Sequence, residues 1–362
     1  MADYRPPGVY ITAQESPSLT VPGAGIAKMG IVGKVLSAYQ GDMVAKEFLY
    51  FDDVVAEYGN IDANGLNEIV IGAYWAFKGG APSVICSPYP SSGTRSDIDN
   101  AIARLEAEDV KLVVVIDDSA SLWAGSLASL KSHCANMETA GKERIGIMGA
   151  QSALSVSAIA SSATSTNSKR IAIVAPGSFY WTPPVTGASQ LQVNSGFIAC
   201  YLAGLICGRE AQLPVTRQFI PYVEGLGNNY TVTEMNTLAT AGVTVIEKYY
   251  NSYRVRHGIT TKQSPTYYNE ISVVRAEDRM VEILRLSFDA LVPMPQNEST
   301  LPSVANYCKV ILESLKKEGL IFDYQNIQAK QDQTEPRQVD ITFEYKPAFP
   351  LNWIDIKFTI YV

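Results

Sequence analysis

Two adjacent carboxylates, Asp117 and Asp118, close the apolar run Lys111 to Ile116 (KLVVVI). A run without a polar break reads as a strand buried on both faces, and open α/β sheets gather their ligands at the carboxyl ends of such strands. A carboxylate pair there could hold a divalent cation or serve as acid and base; alternatively, one of the two caps the helix that follows. The remaining chemistry is sparse. Of two histidines, His133 stands beside Cys134 inside a predicted helix without HExxH or Cys/His ligand spacing, and reads as a core or surface side chain. Neither His133 nor His257 pairs with a Ser or Cys nucleophile, and there is no G-x-S-x-G elbow. The glycine-rich stretch Gly23 to Gly30 precedes a strand instead of following one, fits neither dinucleotide nor P-loop spacing, and reads as a turn. Cys86, Cys134, Cys200, Cys207 and Cys308 are odd in number and form no CxxC, which implies reduced, mostly buried thiols and synthesis in the cytoplasm. No catalytic residue, metal ligand or cofactor is expected.

The elements that would position these residues alternate. Met29 to Gly33 is an apolar strand, Asp52 or Asp53 can cap a short helix ending near Gly59, and Leu66, Ile69, Val70, Ala73 and Phe77 form one helical stripe. Gly79-Gly80 stops that helix before a strand from Ser83 to Cys86. Ser96 is the expected cap of a helix carrying Ile98, Ala101, Ile102 and Leu105. A helix from about Ser121 to Ala140, a strand Ile145 to Met148, a Ser/Ala/Thr-rich stretch and a strand Ile171 to Val174 follow. This βα alternation predicts a parallel sheet with helices on its faces. Gly196 to Cys207 (GFIACYLAGLIC) is too short to span a bilayer; its small residues Gly196, Cys200, Gly204 and Gly208 recur every fourth position, predicting a buried helix packed closely on a neighbour. After Pro214 the pattern turns mixed: a strand Val243 to Tyr249, another near Ile271 to Val274, and amphipathic helices over Glu277 to Leu291 and Val304 to Lys317.

At 362 residues, 47% hydrophobic and 18% charged, the chain exceeds the size at which single cores stop growing and has an ordinary globular composition. A net charge of -7 argues against general nucleic-acid binding. Arg254, Arg256 and Lys262, and Lys316-Lys317, read as solvated basic faces. No secretory signal and no membrane insertion are predicted. The fold class is α/β plus α+β, divided as 1–20 arm, 21–95 α/β region, 96–222 parallel α/β domain, 223–338 α+β domain and 339–362 terminal strands.

Both ends carry short strand-like stretches without an obvious partner. Val9, Tyr10, Ile11 and Thr12 follow the Pro6-Pro7-Gly8 break and stop before Ser16-Pro17. At the other end Ile354, Ile356, Phe358, Ile360 and Val362 alternate with Asp355, Lys357, Thr359 and Tyr361. Val339, Ile341, Phe343 and Tyr345 also alternate, and are expected to pair with that terminal run across Pro347 to Pro350. An unpaired strand is an aggregation liability unless a partner sheet receives it.

Pro7-Gly8-Val9-Tyr10-Ile11, Ser18 to Gly23 and the small-residue strand Gly25 to Gly33 resemble the start of contractile-tail sheath proteins of phages and related injection systems. The resemblance continues through Glu47-Phe48 to Tyr58-Gly59, Ala73 to Gly80, Ser195 to Ala199, Leu213 to Thr216, and Gly258 to Thr261 with Val273-Val274-Arg275, the last two matching a strand pair of the family's C-terminal domain. It covers nearly the whole chain, without the large inserted outer domains of bigger sheaths. The resemblance implies a structural subunit, not an enzyme, that polymerises helically as stacked hexameric rings around a tail tube and meets baseplate and terminator proteins. Its location is then the virion tail or an injection particle. It further implies that both arms add as strands to sheets of neighbouring subunits, and that contraction is a rigid-body rearrangement. Lys309, Lys316 and Lys317 are expected to face the tube. Two alternatives stand beside it: an α/β hydrolase or nucleotide-binding enzyme using Asp117 and Asp118, and a non-contractile tube or shell protein built by strand exchange.

Overall fold

A computed structural model describes residues 27–361 except 40, 265, 290, 293–299 and 336. Val9 to Thr12 and Val362 lie outside the described residues. The chain runs through β1 (Met29–Val35), β2 (Lys46–Phe48), α1 (Phe51–Tyr58), α2 (Glu68–Gly79) and β3 (Val84–Pro90). Strands and helices then alternate: α3 (Arg95–Arg104), β4 (Leu112–Val115), α4 (Trp123–Thr139), β5 (Ile145–Gly149), α5 (Val156–Thr166) and β6 (Ile171–Ala175). β7 (Ser178–Trp181) and β8 (Leu191–Asn194) lead to α6 (Gly196–Cys207), β9 (Gly225–Leu226) and α7 (Val232–Thr240). Last come β10 (Val243–Tyr249), β11 (Ser252–Val255), α8 (Ile271–Asp289), α9 (Thr300–Lys317), β12 (Ile321–Gln331) and β13 (Val339–Pro347).

The main sheet has the order β11-β10-β6-β5-β4-β1-β3-β2, parallel throughout except at its two edges, where β11 and β2 run antiparallel. Alternation along each strand makes two cores. Ile31, Val114, Ile147 and Val174 point into the core covered by α2 and α6, while Val32, Val113, Val115 and Ile173 point into the one covered by α3, α4, α5 and α7. Strands on either side of residues 95/96 and of 222/223 belong to this one sheet. α8, α9 and the β12–β13 hairpin enclose a third core of Met280, Ile283, Ile311, Leu312 and Leu315.

Every residue of α6 is buried, and its small residues set its distance from α2. A Cβ on Gly204 would lie 2.1 Å from the Ala76 carbonyl oxygen, and one on Gly79 would lie 2.2 Å from that of Tyr201. Backbone thus rests on backbone, as the four-residue spacing predicts.

Several local expectations are corrected. Thr94, not Ser96, caps α3, in a reciprocal capping box with Asp97. Asp52 and Asp53 fall in the first turn of α1, whose N-cap is Tyr50, and Leu66 lies before α2 and is exposed. The Ser/Ala/Thr-rich stretch is a helix, α5, capped by Ser155. Ile271 to Val274, read as a strand, begins α8, so Val273-Val274-Arg275 is not half of a strand pair; burial of one face of a 19-residue helix overrides β-branched propensity. β13 pairs with β12 and not with residues 354–361, which are in no strand.

Candidate functional site

The strand order reverses between β1 and β4, the place where doubly wound sheets bind ligands. Asp117 and Asp118 do stand there. Asp117 is buried; its Oδ1 accepts from the Ser119 N–H at 2.9 Å and its Oδ2 from the Ser126 hydroxyl at 2.6 Å. Asp118 accepts from the Ser152 N–H at 2.6 Å and the Ser152 hydroxyl at 2.7 Å, tying the β4 end to the loop after β5. Neither caps α4, whose N-cap is Leu122. The Tyr89 hydroxyl donates to the Ile116 carbonyl at 3.0 Å, and a Cβ on Gly149 would lie 2.5 Å from the Gly196 nitrogen, so the start of α6 closes over the strand ends. The carboxylates fasten loops together, and no group of three or more His, Cys, Asp or Glu side chains suited to a metal occurs among the described residues.

The histidines sit elsewhere. His133 lies toward the opposite, amino-terminal end of the strands, its Nε2 3.2 Å from an Arg144 guanidinium nitrogen; burial, then that positive charge, lowers its pKa to about 4. His257 Nε2 lies 2.6 Å from Glu270 Oε1. The five thiols are free and buried, and burial pushes their pKa values up, to about 11 for Cys308 and about 12 for Cys134 and Cys207.

At that same amino-terminal end α8 meets the sheet along a seam of ion pairs. Arg170, almost fully buried, binds both Asp278 oxygens at 2.6 and 2.5 Å and Glu138 at 2.8 Å. Lys111 pairs with Glu282 at 3.0 Å, and Arg285 with Glu143 at 2.6 Å. A cavity of about 560 Å³ opens between these pairs and Arg209, Arg275 and Gln212. Its walls carry both signs of charge.

The C-terminal region holds the most exposed apolar surface described. β12 and β13 form a two-stranded sheet whose outer edges have no third strand among the described residues. Tyr345 donates to Glu277 at 2.6 Å and Tyr324 to Glu313 at 2.7 Å, fixing the hairpin on α8 and α9. Beyond it Ile354, Ile356, Phe358 and Ile360 are 72%, 82%, 84% and 78% exposed. Lys309, Lys316 and Lys317 are all exposed on α9, with Lys316 paired to Asp323 at 2.8 Å. Sequence reasoning missed the Glu270 contacts and the α8 seam, because Asn352 and Glu270 lie 82 residues apart and the seam pairs up to 171, and no local pattern links them.

No family model matches the chain. It is 26% identical over 318 residues to a tail sheath protein of Mycobacterium phage Bxz1, a match covering 86% of this chain and 54% of that protein; the chain therefore spans about half the length of that relative. The fold matches the helical sheath of the anti-feeding prophage in its contracted state with a TM-score of 0.75 at 16% identity, covering 99% of both chains. It matches the contracted sheath complex of the extracellular contractile injection system PVC with a TM-score of 0.73 at 16% identity, covering 99% of this chain and 98% of that one. In sequence the chain is akin to a phage tail sheath protein, and its fold is that of contractile sheath subunits.

Proposed function

We propose, from its kinship with the contractile tail sheath proteins, that the chain is a structural sheath subunit that polymerises helically around a tail tube. Contraction of that polymer then drives the tube through a target cell envelope. The observation that carries this reading is the pairing of two features left incomplete among the described residues: an apolar, alternating strap at 354–361 that forms no strand there, and a two-stranded sheet that no third strand joins there. Main-chain hydrogen bonds between strap and sheet of different copies would satisfy both, with side-chain alternation fixing the register. Such contacts are heterologous and propagate as a helix instead of closing a ring of two. Val9, Tyr10, Ile11 and Thr12 supply the second donated strand in this reading, and Ile354, Ile356, Phe358, Ile360 and Val362 the first. Lys309, Lys316 and Lys317 give α9 a cationic face toward the tube. Baseplate and terminator proteins cap the polymer, and its place is the virion tail or an equivalent injection particle. A subunit of this kind works by assembly and needs no catalytic group; the switch-point aspartates, engaged by Ser119, Ser126 and Ser152, suit that role.

Negative-stain electron microscopy of the purified protein tests the proposal. Hollow cylinders with helical striations are expected. Monodisperse monomers at concentrations far above those of a phage lysate, or smooth tubes that do not shorten, would count against it.

A further inference from the structure

We propose that Glu270, His257 and Asn352 form a releasable clasp that sets the free length of the C-terminal strap; its consequence for assembly rests on the sheath reading, its geometry does not. Glu270 is 5% exposed and rigidly placed, its backbone bridged to Ile259 and its carbonyl accepting the Val274 N–H in the first turn of α8. Oε1 accepts from the Asn352 side-chain amide at 2.6 Å and lies 2.6 Å from His257 Nε2. Oε2 is buried with no hydrogen-bond partner among the described residues, so a half-satisfied carboxylate is what grips the strap. The next residue, Trp353, sets its ring edge-on to His257 at 6.3 Å between centroids yet remains 78% exposed.

Among the described residues Asn352 is the point at which 348–361 hydrogen-bonds the body. A short bond from the Asn352 amide to Glu270, a longer contact of 3.4 Å from the same nitrogen to His257 Nε2 and one edge contact by Trp353 make a tether confined to two residues. With the clasp closed, residues 353–361 can reach roughly 30 Å; opened, the strap is free from 348 and reaches roughly 45 Å. The roughly 15 Å of slack lets a strand stay paired in a neighbour while the two bodies move apart or rotate. The clasp thus fixes strap length in one lattice and can release it in another.

Chymotrypsin cleavage at Leu351 and Trp353, and hydrogen exchange over 348–361, read the clasp in the monomer. Asn352→Ala should raise both several-fold with an unchanged melting temperature, and Glu270→Gln, which keeps an acceptor oxygen, should raise them less. Equal rates in wild type and Asn352→Ala would overturn the clasp. In assembled material, Asn352→Ala cylinders should show variable subunit spacing; spacing as uniform as in wild type would overturn the length-setting role. Wild-type protein that forms no cylinders at all sinks the sheath reading instead, while the monomer measurements still decide the clasp.

Discussion

At the residue scale, burial decides more than charge pairing. Glu68 stands in the first turn of α2, accepts the Lys34 N–H at 3.2 Å and faces the Lys34 ammonium at 3.5 Å. All three favour a carboxylate. Yet the side chain is almost wholly enclosed, and desolvation pushes its pKa up to about 7. The unfolded chain therefore gives up this proton first, near pH 4.5, so the stability tied to Glu68 falls as pH climbs from about 4.5 to 7. Glu68→Gln should be more favourable at pH 8 than at pH 4 by on the order of 3 kcal/mol, measured by urea unfolding at both pH values. An effect equal at both would mean that the Lys34 contacts fully offset burial, and one less favourable at pH 8 that they outweigh it. Arg170 makes the same point with two partners: buried Asp278 is held up at about 6, while half-exposed Glu138 is drawn down to about 2 by hydrogen bonds and charge from Arg170 and Lys169. Acidification from pH 4 to 2 thus removes what Glu138 contributes, whereas Asp278 favours folding more as pH falls from about 6 toward 4.

At the scale of elements, the α2–α6 contact is the tightest in the molecule that the sequence announces. Gly204→Ala would force a methyl into the Ala76 carbonyl, and the backbone, having no rotamer to change, must move; a loss of about 2–4 kcal/mol is expected from chemical denaturation. Gly80→Ala separates sterics from backbone strain: its φ is 102° with open space around it, so only about 1 kcal/mol should be lost. Similar losses at both positions would refute the close-packing account. Small residues at every fourth position were legible because a helix converts that spacing directly into one face. The partner of β13 was not legible, for an equally local reason. β12 carries register shifts between Ile321/Asp323 and Gln325/Gln328, with Asn326 at φ 57°, so the two-residue alternation that marks a strand is broken. The alternation is unbroken instead at 354–361, which pairs with no strand among the described residues. The switch-point aspartates were legible as a location but not as a role, since Ser126 and Ser152 reach them only through the fold.

At the scale of the molecule, the body and the C-terminal strap are separable in energy. The buried cores draw on residues 29–321, whereas side chains at 354–361 leave most of their surface in water and supply no ladder partner to the described chain. Deleting 354–362 should therefore shift the unfolding temperature by no more than about 2 °C while abolishing cylinders seen by electron microscopy. The other arm allows a sharper test, because Val9 to Thr12 is proposed as a donated strand from its strand-like sequence and the resemblance to sheath proteins. Deleting Met1 to Thr20 should leave a folded, soluble monomer with nearly the same unfolding temperature and no polymerisation. Ile11→Pro, which would remove one ladder donor from the proposed donated strand, should act alike without shortening the chain. If the truncated protein instead unfolds or aggregates at once, the N-terminal strand completes its own subunit's sheet; strand donation would then fall to the C-terminal strap alone, and a mesh linked in two directions could not be built from this chain.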